Sequence, residues 1–149
     1  MSITRNHFQM SFAQLPAWIC PTCQSGTLKQ IEGHPIELES TRSKKAHDHD
    51  AWDPDWIDKR FSAFLECQNT HCQELVVASG NVTIGLEYTI DEYGRPEEEW
   101  LELYHPKSVQ PPPPIFLLHK AIPSELAERL KTAFGLFWMD RGACAAKLR

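Results

Sequence analysis

Hydrophobic residues along this chain alternate in its middle and recur at helical spacing only near its end. From Asn81 to Ile90 the apolar positions are Val82, Ile84, Leu86, Tyr88 and Ile90, the period of two that lines one face of a strand. Asp91-Glu92-Tyr93-Gly94-Arg95-Pro96 then reads as a turn and Trp100–Tyr104 as the returning strand. Upstream, Ala17-Trp18-Ile19 and Thr27-Leu28-Lys29 are short segments suited to a pleated surface, as are Phe61–Glu66 and Glu74–Ala78. The pattern changes after Gln110-Pro111-Pro112-Pro113-Pro114, a stiff extended connector. Leu126, Leu130, Ala133, Phe134, Phe137 and Trp138 then form one helical stripe, with Ser124 expected as its N-cap. A second helix is expected from near Asp140 to Arg149.

These elements predict an α+β protein. An antiparallel β module occupies residues 1–106 with a charged insert at 37–60, a proline-rich connector spans 107–123, and a helical domain begins at 124–149. One stripe and a short second helix do not close a helical core. The chain therefore reads either as the front of a longer protein or as a subunit whose helices pack on another chain.

The cysteines bring in chemistry. Four of the five form two short pairs, Cys20-Pro-Thr-Cys23 and Cys67-Gln-Asn-Thr-His-Cys72, each flanked by strand-like segments. Two close pairs separated by a long insert point to a tetrahedral metal site, and the strand–knuckle–strand arrangement resembles a zinc ribbon. Cys20, Cys23, Cys67 and Cys72 are thus the expected ligands of a structural Zn2+. Four thiolates close the coordination sphere, so this zinc would fold the module without catalysing a reaction. Cys144, among small residues, is expected to be a buried helix residue. In the insert, His47, Asp48, His49 and Asp50 read as a solvated loop, with a second metal site as the alternative, and Trp52 and Trp56 are expected to anchor it on the ribbon, with a partner-binding patch as theirs; His71, inside the second knuckle, is the alternative to Cys72 as fourth ligand.

Composition removes several alternatives. The 149 residues carry 15 Lys+Arg against 20 Asp+Glu, a net charge of −5 that disfavours broad neutralisation of nucleic acid. Seven carboxylates face the single Arg95 between Leu86 and Glu102, whereas Lys120–Arg149 is mildly basic, with six Lys+Arg against three Asp+Glu. Nucleic-acid binding, if present, would use that end. No apolar run reaches membrane-spanning length and no apolar leader opens the chain, so a cytoplasmic, non-membrane protein is expected.

The order of a Trp18-Ile19-Cys20-Pro21-Thr22-Cys23 knuckle, a second cysteine pair, a hairpin, Tyr104-His105-Pro106, the proline connector, Ile122-Pro123 and a closing Arg141-Gly142-Ala143-Cys144-Ala145-Ala146-Lys147-Leu148-Arg149 resembles the N-terminal portion of the bacterial DUF-4145 proteins. That resemblance implies HEPN-like helices and an association with phage defence. Some HEPN domains are ribonucleases with an arginine and a histidine a few residues apart, but Ala146, Lys147 and Leu148 stand where the histidine after Arg141 would fall. The expected function is therefore a non-enzymatic, zinc-stabilised binding or assembly module of a defence or regulatory complex. It would meet a protein partner or a second copy through its C-terminal helices. A HEPN-like ribonuclease fragment and a zinc-ribbon nucleic-acid binder are the alternatives.

Overall fold

A computed structural model describes residues 3–149. Five strands form one antiparallel sheet: β1 (Leu28–Gln30), β2 (Ile36–Glu39), β3 (Asp58–Cys67), β4 (Leu75–Ile90) and β5 (Pro96–Gln110). Three helices accompany it, α1 (Thr41–Ala46), α2 (Ser124–Met139) and α3 (Arg141–Lys147). The mixed α+β architecture and the antiparallel pairing agree with the hydrophobic pattern.

Strand β3 sets the inside and outside of the sheet. Phe61, Ala63, Leu65 and Cys67 are buried while Phe64 and Glu66 are exposed, so its last core-facing position is a cysteine. One edge of β3 pairs with β4, and the other is covered in succession by β2 over Lys59–Ser62 and by β1 over Leu65–Cys67. β4 carries Val76, Ala78 and Val82 into the same core, with a register shift at Ser79/Gly80. A Cβ on Gly80 would lie 2.1 Å from the His105 carbonyl oxygen, so a side chain there would force the two strands apart.

The structure differs from the sequence pattern in three places. What reads as two strands, Glu74–Ala78 and Asn81–Ile90, is the single strand β4, continuous through its bulge. The charged insert holds a strand and a helix: β2 covers the β3 edge, and α1 follows with Ser40 as N-cap, its hydroxyl accepting from the Ser43 amide at 3.1 Å. The buried Ser43 hydroxyl in turn donates to Glu39 at 2.6 Å and accepts from the Asp58 amide at 3.0 Å, holding α1 to the start of β3. At the other end, the N-cap position of α2 belongs to Pro123 instead of Ser124 and makes no side-chain cap. Asp140 does cap α3, accepting from the Ala143 amide at 3.0 Å.

The C-terminal half of the helical stripe, Ala133, Phe134 and Trp138, finds its cover inside the chain, while Leu126 stays exposed. Trp138 is part of the same core as Phe12, Trp18, Leu28 and Val109, and its ring meets Trp18 edge-on at 5.1 Å. Phe8 from the N-terminal segment packs on both Trp138 and Phe137, and Phe116 from the connector packs on Phe134 at 5.1 Å. The β module and α2 thus share one hydrophobic core, and strand β5 extends through Lys107–Gln110 toward the connector.

Candidate metal centre

The first knuckle is a tight turn closed by backbone hydrogen bonds. The Cys20 amide donates to the Gly26 carbonyl at 2.8 Å, the Gln24 amide donates to the Cys20 carbonyl at 3.0 Å, and Gln24 has a left-handed backbone (φ 53°). The second knuckle repeats this turn two residues after its first cysteine. There the Cys72 and Gln73 amides donate to the Asn69 carbonyl at 2.9 and 3.0 Å, and Gln73 has φ 50°. Asn69 therefore occupies the turn position that Cys20 holds in the first knuckle, and Cys67 stands two residues before it as the final residue of β3. The four intervening residues of the second pair follow from this: the first ligand is supplied by the strand and the second by the turn.

Both loops converge. The sulfur of Cys20 lies 3.8 Å from that of Cys72, Cys23 lies 3.7 Å from Cys67, and all four sulfurs fall within 4.8 Å of one another. A tetrahedron of thiolates with metal–sulfur bonds of about 2.3 Å has edges of about 3.8 Å, which the Cys20–Cys72 and Cys23–Cys67 separations match, so the cluster is compatible with a four-thiolate site. A disulfide needs its sulfurs at about 2.05 Å, and all five cysteines are free. Cys20 and Cys67 are buried, Cys23 and Cys72 partly so.

The surroundings polarise the thiols unequally. Burial pushes the Cys20 thiol up to about 12, against the lowering effect of the nearby Cys23 and Thr22 amides. Burial also raises Cys67. Burial acts the same way on Cys23, but hydrogen bonds from the Ser25 side chain and from the Ser25 and Gly26 amides outweigh it and bring that thiol down to about 5. One sulfur is thus already suited to be a thiolate. For Cys20 and Cys67, whose thiols burial raises, a bound cation would favour loss of the proton, the ordinary coupling of metal binding to proton release.

Contacts between the knuckles fix their spacing. The Gly26 amide donates to Cys23 Sγ at 3.3 Å and the Asn69 amide to Cys67 Sγ at 3.4 Å. Asn69 Nδ2 reaches Ser25 Oγ at 3.3 Å, and Thr22 Oγ1 donates to Glu74 Oε2. Gly26 is where the two loops touch. A Cβ there would stand 2.5 Å from Cys67 Sγ and 3.0 Å from Asn69 Cβ. Gly26→Ala is expected to weaken metal binding by about 10- to 100-fold while leaving all four ligands present, measured by competition with a chromophoric chelator.

The other candidates lie elsewhere. His47 bonds Glu39 at 2.8 Å and packs on Trp52, while His49 accepts from the Ala51 amide and packs on Trp56. Among the described residues, the convergent set of His, Cys, Asp and Glu side chains is the four cysteines, without His71 or His47–Asp50. Trp52 is half-buried and Trp56 exposed, each stacked on a histidine of the insert. Cys144 is buried on α3, where burial raises its thiol. Arg141 holds the N-terminal segment, donating to the Phe8 carbonyl at 2.9 Å with its guanidinium over Phe137.

Two features had no signal in the spacing of residues. Gln24, next to Cys23, accepts from the Leu118 amide at 2.7 Å and so ties the first knuckle to the connector. Across the sheet, the Tyr104 hydroxyl donates to Glu37, and Lys59 bridges Glu37 and Glu102. Burial and the Glu37 carboxylate push the Tyr104 hydroxyl up, and on Lys59 the two carboxylates overcome a burial effect of opposite sign. This chain of contacts locks β2, β3 and β5 together.

The fold and site define a small antiparallel-sheet protein with a four-cysteine cluster compatible with metal binding. The chain belongs to the family described as "Domain of unknown function (DUF8608)", whose model matches residues 8–108, more than half of its length. This corrects the resemblance to the DUF-4145 proteins: the matching family is a different one. The HEPN-like and defence expectations rested on that resemblance and lose their support with it. The matched span contains both knuckles and nearly all of the sheet, the part of the chain that carries the cluster. No curated protein and no solved structure matches the chain. Among the described residues no helix is long and apolar enough to cross a membrane.

Proposed function

We propose that the chain is a zinc-stabilised, zinc-ribbon-like binding or assembly module, with Cys20, Cys23, Cys67 and Cys72 as the four ligands of one structural Zn2+. The observation that carries this reading is the convergence of four sulfurs within 4.8 Å of one another, two of their separations, 3.7 and 3.8 Å, matching the edge of a thiolate tetrahedron, supplied by two knuckles of similar turn geometry. Thiolate-rich tetrahedral sites favour zinc among the common divalent ions, and zinc brings no redox chemistry of its own. Four protein ligands leave no open position for substrate or water, which supports a binding role over a catalytic one.

The test is native mass spectrometry together with cobalt substitution. One zinc per chain is expected, and the cobalt form should show the intense thiolate charge-transfer and visible bands of a tetrahedral four-sulfur site. Loss of both signals in Cys23→Ser would assign them to these ligands. A chain that folds metal-free, with four titratable thiols unaffected by zinc, would overturn the reading.

A further inference from the structure

The four clustered cysteines are not equivalent toward solvent. Cys20 and Cys67 are buried, whereas Cys23 and Cys72 are half-buried and reach the surface. Two sulfur contacts pair one of each kind: Cys20 with Cys72 at 3.8 Å, and Cys67 with Cys23 at 3.7 Å. Each contact also joins one knuckle to the other, across 52 residues of chain in the first case and 44 in the second. An accessible sulfur is thus backed by a buried one from the opposite loop, about 1.7 Å beyond the length of a disulfide bond.

Other contacts keep the two loops facing each other. Asn69 Nδ2 donates to Ser25 Oγ at 3.3 Å, Thr22 Oγ1 donates to Glu74, and the missing side chain of Gly26 leaves room for Cys67 Sγ. These contacts hold the opposed sulfurs in register when a metal–sulfur bond is lost. A bridge within the first knuckle would close only the short Cys20–Cys23 turn. Bridges between the knuckles would tie the segment before β1 to the loop between β3 and β4, the same tie that four metal–thiolate bonds make. They also close long loops, the case in which a cross-link restricts the unfolded chain most.

We propose that the cluster is also a redox device, in which hydrogen peroxide turns the four thiolates into two nested disulfides, Cys20–Cys72 and Cys23–Cys67, freeing the metal while the sheet stays folded. For the release of zinc the inference rests on the four-thiolate reading above; for the pairing it rests on the sulfur positions alone. In each pair the half-buried thiolate attacks peroxide: a sulfur–oxygen bond forms as the oxygen–oxygen bond breaks, leaving a sulfenic acid and hydroxide. The buried thiolate then attacks that sulfur, the sulfur–sulfur bond forms, and a second hydroxide departs. Two thiolates lose two electrons and one peroxide gains them, so two peroxides empty the site. Cys144 lies outside the cluster and stays a thiol. An excess of a dithiol reverses the change, becoming a disulfide itself as the four thiols return.

A peroxide titration of the full, metal-loaded chain tests it. Zinc release is followed with a chromophoric chelator, and the products are mapped by peptide mass spectrometry with fragmentation between the paired cysteines. One zinc released per two peroxides is expected, with free thiols falling from five to one. The mapped bridges should be Cys20–Cys72 and Cys23–Cys67, and the circular dichroism spectrum should stay that of the metal-loaded protein. Dithiothreitol and zinc together should restore the thiols and the metal. Cys144→Ser should release zinc and form both bridges as the wild type does, with no thiol left at the end. Any other pairing, a Cys20–Cys23 bridge above all, would overturn the proposal, as would sulfinic acids in place of disulfides or loss of the fold on oxidation. A chain isolated without zinc that still forms both nested bridges would uphold the pairing and overturn the zinc reading.

Discussion

Stripping the metal, or replacing Cys67 with serine, is expected to unfold the sheet and to release the C-terminal helices with it. Cys67 is the residue for which this should be most severe. It ends β3 opposite Leu28 of β1, its sulfur pairs with Cys23, and its position fixes the second knuckle against Gly26. Structural zinc contributes on the order of 10 kcal/mol or more of folding free energy in small zinc domains, comparable to the entire stability of a typical domain. The helices follow because the site is wired to them twice. Trp18, two residues before Cys20, carries the ring that meets Trp138, and Gln24, the residue after Cys23, holds the Leu118 amide. Chelation should therefore give rapid proteolysis within the 111–123 connector, a red shift of tryptophan emission and loss of the cooperative thermal transition. Readdition of zinc should restore all three. Cys144→Ser is the control: that thiol lies on α3 outside the cluster, so its substitution should leave metal content unchanged. A cooperative melt that persists in chelator, with the connector still protected, would show that the sheet stands without its metal.

How much of this was legible in the sequence depends on the range of the interaction. The two cysteine pairs and the strands around the second are local patterns, and they stand where spacing and alternation put them. So does the hairpin turn, where Gly94 takes the left-handed backbone (φ 78°) and Asp91 accepts from the Tyr93 and Arg95 amides. The insert is different. β2 does alternate, Ile36-Glu37-Leu38-Glu39, but over only four residues and with its apolar pair exposed, so it is its pairing with the β3 edge that defines it as a strand. The same holds for α2: its stripe reads correctly as apolar, but nothing local says that Trp138 belongs beside Trp18, 120 residues earlier in the chain. That gap made the helices look like the start of a separate domain in search of a partner. The spacing of Cys67 and Cys72, unlike that of the first pair, is explained only once Asn69 is seen to take the turn position and β3 to deliver the first sulfur. The family resemblance failed for a related reason, since it leaned on the proline run and the small-residue helix, both outside residues 8–108.

Trp18→Ala is expected to cost about 3–5 kcal/mol, the range for deleting a large aromatic side chain from a packed core. Trp18 is fully buried where the N-terminal segment, the sheet and α2 meet. Its ring meets Phe12 at 6.0 Å and Trp138 at 5.1 Å, both edge-on, and its indole N–H donates to the His7 carbonyl at 2.7 Å. The substitution thus removes packing from the N-terminal segment, the sheet and α2 together, and leaves the His7 carbonyl without its donor. Trp18→Phe separates these contributions. It keeps most of the apolar volume and should lose about 1–3 kcal/mol, from the hydrogen bond and the smaller ring. Urea denaturation of the metal-loaded protein measures both. The order Trp18→Ala, then Trp18→Phe, then wild type should hold with a constant m-value if sheet and helix unfold as one unit. Since Trp18 is not among the four clustered residues, the metal stoichiometry in native buffer should stay at the wild-type value for both variants. A Trp18→Ala protein that instead unfolds in two steps, with the helices melting first and the zinc-bearing sheet later, would show that the shared core joins two separately stable parts.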